Sequence, residues 1–378
     1  MLERILYLVY YIPYFNFKID EVYNLSKKLD ENRIKEGVGG QAVIEGIMLR
    51  NKSHYVVAVR KPDKEIDFIK AAIPENKNNL SKMPFIRGVV NFVDMMKLGY
   101  KTLVFSANTA GIEEENNKKD SKPKSEKSEN LAMTLSMLVS LGFAVGLFIA
   151  LPYFITTLIG IDEKSNFVVF NLVRGCIKLS IFVLYLLIIS FFKDIKRVFE
   201  YHGAEHMVVN AYEHGLDPDT GNIRDYTTIH PRCGTTFMFL VLTVSILLYM
   251  FTSYFVYTYI YASYTPPKIV GNLTVLGINI ILLPIVSGIS YEILKLGFKF
   301  YNFPLMRLAI LPGLALQKIT TRRPQDDEIE VALFALSKLL DTSIEQRTEE
   351  EVQADMKKVL ENNNDNIKDN ATEEKLCV

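Results

Sequence analysis

The sequence predicts an α-helical integral membrane protein of about four transmembrane helices, with a small cytoplasmic α/β domain at its N-terminal end. Three observations predict it. Apolar residues make up 49% of the 378-residue chain and are gathered into runs longer than a soluble core needs. The runs lie at 131–159, 167–192, 237–262 and 270–296. Ahead of them, residues 40–73 alternate short apolar stretches with turn residues, as strands do.

The totals exclude some classes. A formal net charge of zero gives no basic field for nucleic acid. The three cysteines, Cys176, Cys233 and Cys377, are widely spaced and odd in number, which argues against a disulfide framework.

Residues 1–36 read as an N-terminal extension. Its first part, 1–17, is aromatic and apolar but lacks the basic n-region and cleavage site of a signal peptide. A membrane-skimming helix and an extension without a role both fit it. Residues 37–111 form the α/β domain. Gly37, Gly39 and Gly40 lead into strands, and Pro62-Asp63 marks a turn between two of them. The glycines lack the G-K-[ST] ending of a phosphate loop. Glu45 reads as an edge-strand carboxylate. Residues 84–111 carry helical apolar spacing broken by charges, which suits a helix packed on the sheet or lying at the interface. Residues 112–130, rich in Glu, Lys, Asn and Ser, read as a disordered linker.

The membrane domain is expected over 131–341. Its second span carries Arg174 and Lys178, which either snorkel to the outer interface or face a polar cavity. The third ends in tyrosines, as an aromatic belt does. The fourth contains Gly277, Pro284 and Gly288. The short connections at 160–166 and 263–269 hold one Lys each, whereas 111–130, 193–236 and the part beyond 295 are rich in Lys and Arg. The positive-inside rule therefore puts both termini and the 193–236 segment in the cytoplasm. Beyond the spans, 303–318 reads as a re-entrant or interfacial element and 326–340 as an amphipathic helix. The acidic tail at 342–378 reads as disordered.

The chemistry concentrates in 193–236. His202, Glu205 and His206 form an H-x-x-E-H pattern that continues the helical pattern of the second span. On a helix, His202 and His206 share one face, so two imidazoles can hold one metal while Glu205 serves as general base toward water. Only five histidines occur in the chain, and two of them are here. His230 and Cys233 follow just before the third span. His202, His206, His230 and Cys233 make an N/S donor set that suits Zn²⁺. Glu292, near the inner end of the fourth span, is a further ligand candidate, with a salt bridge as its alternative role. Arg232 is placed to hold an anionic substrate group or a lipid phosphate, and at a cytoplasmic membrane surface the lipid phosphate is the cheaper explanation.

Several long stretches carry a family resemblance: GGQAVIEGIMLR at 39–50, PFIRGVV at 84–90, DIKRVFEYHGAEH at 194–206, HPRCGTT at 230–236, PIVSGISYE at 284–292 and LPGLALQKITTR at 311–322. Across 37–341 the chain resembles the YqhQ-like family of bacterial membrane proteins. The resemblance implies a multi-pass protein of the bacterial cell membrane and a metal-dependent enzyme. Two functional expectations stand side by side. One is a zinc-dependent hydrolase with Glu205 as catalytic base. The other is a non-catalytic, zinc-clasped scaffold or assembly factor. Expected partners are the lipid bilayer and other membrane proteins, not nucleic acid. A transporter ranks last, because the spans show no inverted repeat.

Overall fold

The protein was analysed as a computed structural model, which describes residues 29–73, 83, 86–111, 135, 138–140, 142–161, 163, 166–217, 223–261, 267–300 and 303–343. The expected linker at 112–130, residues 1–28 of the expected N-terminal extension and residues 344–378 of the expected tail lie outside those residues.

A short helix, α1 (Glu31–Glu36), is capped by the Asp30 side chain and closed by Gly37 at φ 70°. Four strands follow: β1 (Gly39–Val43), β2 (Gly46–Arg50), β3 (His54–Arg60) and β4 (Ile66–Ala72). They pair antiparallel in sequence order. Val43 pairs with Gly46, so Ile44-Glu45 is a two-residue hairpin loop. Such loops require positive φ, and Glu45 has φ 50°. Glu45 is therefore a turn residue, not the edge-strand residue that the alternation suggested.

Both faces of the sheet are covered, which is why β2 and β3 are almost continuously apolar. Val43, Met48, Val57 and Ile69 pack against Phe105 of α2 (Ile86–Thr109). On the opposite face, Ile47, Leu49, Val56 and Ala58 share a core with α5 (Lys193–Glu213) and α9 (Asp326–Leu340). The sheet is thus built into the segment that carries the histidines. At its other end α2 meets a membrane-type helix. Gly88 lies against Gly288 and Tyr291 of α7 (Lys268–Lys299), where a side chain would not fit.

Among the described residues, four helical stretches are long and apolar enough to cross a membrane: Leu138–Leu158, Phe167–Ile189, Gly234–Ile260 and Leu273–Gly297. The first ends in a π-helical turn (Gly146–Ala150) and α3 (Leu151–Leu158). The second is α4 (Phe167–Ile189). The third comprises α6 (Gly234–Phe255) and the π-helical turn Val256–Ile260. Phe143, Leu158, Leu184, Phe251 and Ile281 on their outer faces are exposed, as lipid-facing side chains would be. The last apolar helix is α8 (Pro304–Thr320), in which Pro304 occupies the first turn and Pro312 lies inside.

One boundary differs from the sequence reading. The H-x-x-E-H helix is not a continuation of α4. The chain turns at Ser190–Phe192, and α5 begins afresh at Lys193. Phe191 and Phe192 extend the apolar run across the break, which hides it in the sequence.

Candidate metal centre

From Glu200 to Glu213, every residue of α5 except His202 is buried. A polar helix can be buried so completely only if its side chains find partners. The first is backbone. Gly203 is pressed against the Arg322 carbonyl, and a Cβ there would lie 1.8 Å from that oxygen. Arg322 N–H donates to Phe199 O at 2.9 Å, so the 321–325 segment is laced to α5. Arg197, on the same helix, joins three carboxylates: Glu45 at 2.5 Å, Glu328 at 2.9 Å and Asp327 at 3.0 Å. That ties the hairpin loop and α9 to α5. These charges hold the Arg197 guanidinium above its ordinary pKa, against burial.

Within this frame, His202, His206 and Cys233 converge. His202 Nδ1 is 2.9 Å from Thr320 O, and His206 Nδ1 is 2.6 Å from Thr228 O. A carbonyl oxygen only accepts, so each Nδ1 carries the proton and each Nε2 presents a lone pair. Cys233 Sγ lies 3.3 Å from His202 Nε2. One donor atom from each of the three residues lies within 4.8 Å of the others. Donors around a tetrahedral zinc stand about 3.3–3.7 Å apart, so the set fits with little movement. In metal sites, histidine–carbonyl bonds of this kind orient the ligating imidazoles.

Cys233 is held by its position as the N-cap of α6, where its Sγ accepts from Thr235 N–H at 3.4 Å. Burial pushes the thiol up, but His206 and the Thr235 hydrogen bonds outweigh it and bring Cys233 below its usual value. Burial lowers His202 and His206, which keeps both imidazoles neutral and able to ligate.

Glu205 sits beside this group, with Oε2 3.4 Å from His206 Nε2 and only 4% of the residue exposed. Burial raises its carboxyl pKa, with His202, His230 and a Gly40 backbone hydrogen bond acting in the opposite direction. The Gly40 bond gives the glycine cluster a role. A Cβ at Gly40 would stand 2.0 Å from Met48 O, so only glycine lets β1 run this close while serving Glu205.

Two expected ligands are not in the group. His230 is adjacent, its ring 5.7 Å from that of His206, but both its nitrogens are engaged. Nδ1 accepts from Arg232 N–H at 3.3 Å, and Nε2 donates to Glu213 Oε2 at 3.3 Å. It belongs to a buried Glu213–His230–Arg232 network. Arg232 also donates to Glu213 Oε1 and to Val38 O, so its guanidinium is turned inward rather than toward a lipid phosphate. Glu292 is drawn elsewhere by Arg87, which grips it at 2.7 and 2.5 Å. That pair fixes α2 to α7.

The sequence reading missed two organisers of the site. Gln317 of α8 accepts from His230 N–H and donates to His230 O and Thr236 Oγ1, all at 2.8–2.9 Å. It clamps the turn that delivers Cys233. Asn210 donates to Thr227 O and Ile229 O at 2.8 and 3.1 Å, which positions the segment carrying the Thr228 carbonyl. Both were visible in principle. Gln317 is an uncharged polar residue amid Leu314, Leu316 and Ile319, and Asn210 stands one turn beyond His206 on the same face.

Residues 83–342 match the model of a family described as a protein of unknown function (DUF1385). The Bacillus subtilis (strain 168) protein named "Uncharacterized protein YqhQ" is 32% identical over 317 residues, which covers 82% of this chain and 95% of that protein. No solved structure matches the chain.

Proposed function

The chain belongs to the DUF1385 family, the YqhQ-like family that its sequence resembles, and for it we propose a metal-dependent hydrolase set in the bacterial membrane. The four apolar helices are the spans. Both termini and the metal centre lie on the cytoplasmic side, on the strength of the Lys/Arg distribution. His202, His206 and Cys233 hold one Zn²⁺. When bound, the ion supplies Lewis-acid polarisation of a carbonyl or phosphoryl oxygen.

The observation that carries this reading is the pair of Nδ1–carbonyl bonds, which turn both Nε2 lone pairs toward Cys233. Three protein donors, rather than four, leave one position of a tetrahedral shell open, the mark of a catalytic rather than a structural site. Glu205 lies against the donor set. Its carboxylate, 3.4 Å from His206 Nε2, is placed to take a proton from water and return it to a leaving group. Lipid head groups and membrane-borne peptides are the substrate classes that could reach a centre at this surface.

One observation favours a second reading. His206, Glu205 and Cys233 are only 2%, 4% and 6% exposed. With Glu205 as fourth ligand, the centre would be a closed clasp joining α5 to the start of α6. Glu205→Gln separates the two readings. A hydrolase keeps its metal content and loses roughly 10²–10⁴-fold in turnover of a phospholipid or peptide substrate. Metal lost in this variant would overturn the base role and favour the clasp.

A further inference from the structure

The outer half of the helix bundle contains a second polar cluster, unconnected with the metal centre. Arg174 and Lys178 are one turn apart on the same face of α4. Both face other helices or neighbouring rings rather than open surface. Lys178 Nζ lies 5.5 Å from the Tyr249 ring centroid of α6, and the Arg174 guanidinium lies 5.5 Å from the Phe170 ring. Among the described residues Arg174 makes one hydrogen bond, from Nη2 to Asn171 Oδ1 at 2.5 Å. Asn171 Nδ2 donates to Ser253 Oγ at 3.1 Å, and Ser253 Oγ donates to Glu163 Oε1 at 2.7 Å. Among the described residues Glu163 is the cluster's one carboxylate, and it is buried at 4% exposure in the connection between the first two apolar helices.

Among the described residues the charges do not balance. Among the described residues, neither Arg174 nor Lys178 makes an ion pair, and two cations face one carboxylate. A buried acceptor, Asn279 Oδ1, also lacks a partner among the described residues. It belongs to the residue whose carbonyl accepts from Tyr249 O–H at 3.2 Å, so it lies close to the ring that Lys178 covers. Side chains on a helix lean toward its N-terminus. Arg174 and Lys178 therefore both reach toward the start of α4, the end that the proposed topology places at the outer surface. By rise per residue, their Cα atoms lie about 10 and 16 Å into the helix, and the lean brings their heads closer to the surface.

We propose that Arg174 and Lys178 form an anion site that takes a phosphate group at the outer side of the bundle. This rests on the reading of α4 and α6 as spans. Arg contributes planar paired donors and Lys a point charge, a combination suited to a phosphate oxygen set. A bound monoanion brings the cluster to neutrality, which the low dielectric of the bundle favours. Tyr249 and Phe170 wall the cations on their apolar sides. The phosphate is that of an anionic lipid head group or free inorganic phosphate.

The test uses the full chain purified in detergent, with thermal unfolding followed as short-chain phosphatidylglycerol or inorganic phosphate is added. Wild type and Lys178→Arg are expected to be stabilised by the lipid in a saturable way. Lys178→Met and Arg174→Met are expected to bind it roughly tenfold more weakly or less. Equal stabilisation by inorganic phosphate identifies the free ion as the ligand. No stabilisation of wild type by either probe, or equal stabilisation of both methionine variants, overturns the site. If those variants do not fold, native mass spectrometry of wild type from mixed vesicles decides. Preferential retention of phosphatidylglycerol over phosphatidylcholine, or a retained phosphate adduct, supports the site, and neither overturns it. Protein that stays in the membrane pellet with its metal intact, yet binds neither probe, contradicts this site alone.

Discussion

At the scale of single residues, the difference between His206 and His230 carries the most information. Both are buried, and their rings are neighbours. One turns its Nε2 toward Cys233 and Glu205, whereas the other spends both nitrogens on Arg232 N–H and Glu213. The sequence could show two histidines and a cysteine near one surface. It could not show ring orientation, because that is set by Glu213, seventeen residues away, and by a carbonyl of the intervening segment. His230→Gln is therefore expected to retain the metal. It should cost about 1–3 kcal/mol in thermal stability, since a buried carboxylate loses a donor. Loss of the metal together with the fold would not distinguish the roles, so metal content is compared only in variants that melt cooperatively. A folded His230→Gln without metal would contradict the assignment.

Elements are positioned by close approaches and by single charged pairs. At Gly203 the α5 backbone meets the Arg322 carbonyl, so Gly203→Ala has no room. It should destabilise the protein by about 1–3 kcal/mol or more, and should release the 321–325 segment from α5. Hydrogen exchange at Arg322 N–H, which is bonded to Phe199 O, reads this directly. Between α2 and α7, Arg87 and Glu292 form a two-pronged ion pair with the carboxylate 15% exposed. Arg87→Glu should lower the melting temperature, and Arg87→Glu with Glu292→Arg should restore most of it. A double variant no better than the single one would show that the pair does not hold these helices. Here the sequence was partly legible. The apolar runs gave all four membrane-type helices, and the 326–340 periodicity gave α9 as found. The turn at Ser190–Phe192 and the sharp hairpin at Glu45 were hidden. Aromatic residues kept one run apolar, and a non-glycine residue holds positive φ at the other.

For the whole molecule, the sheet, α5 and α9 form one packed body, with a core shared between segments far apart in sequence. That sharing was not readable from local pattern, which stopped the α/β unit at residue 111. The proposed topology makes a direct prediction. A cysteine introduced at Asn166 or Pro267 should react with a membrane-impermeant maleimide in intact cells. One introduced at Asp217 or Ser343 should react only after permeabilisation. The reverse pattern would invert the orientation and put the metal centre on the outside.

The measurement that tests the central claim most directly is metal content of the detergent-purified protein by elemental analysis, for wild type and for His202→Ala, His206→Ala, Cys233→Ser and His230→Gln. Three-donor binding predicts about one zinc per wild-type chain, lost in the first three variants and kept in the fourth. A wild-type chain that holds no zinc after reconstitution, or that loses it equally in all four folded variants, would contradict the account.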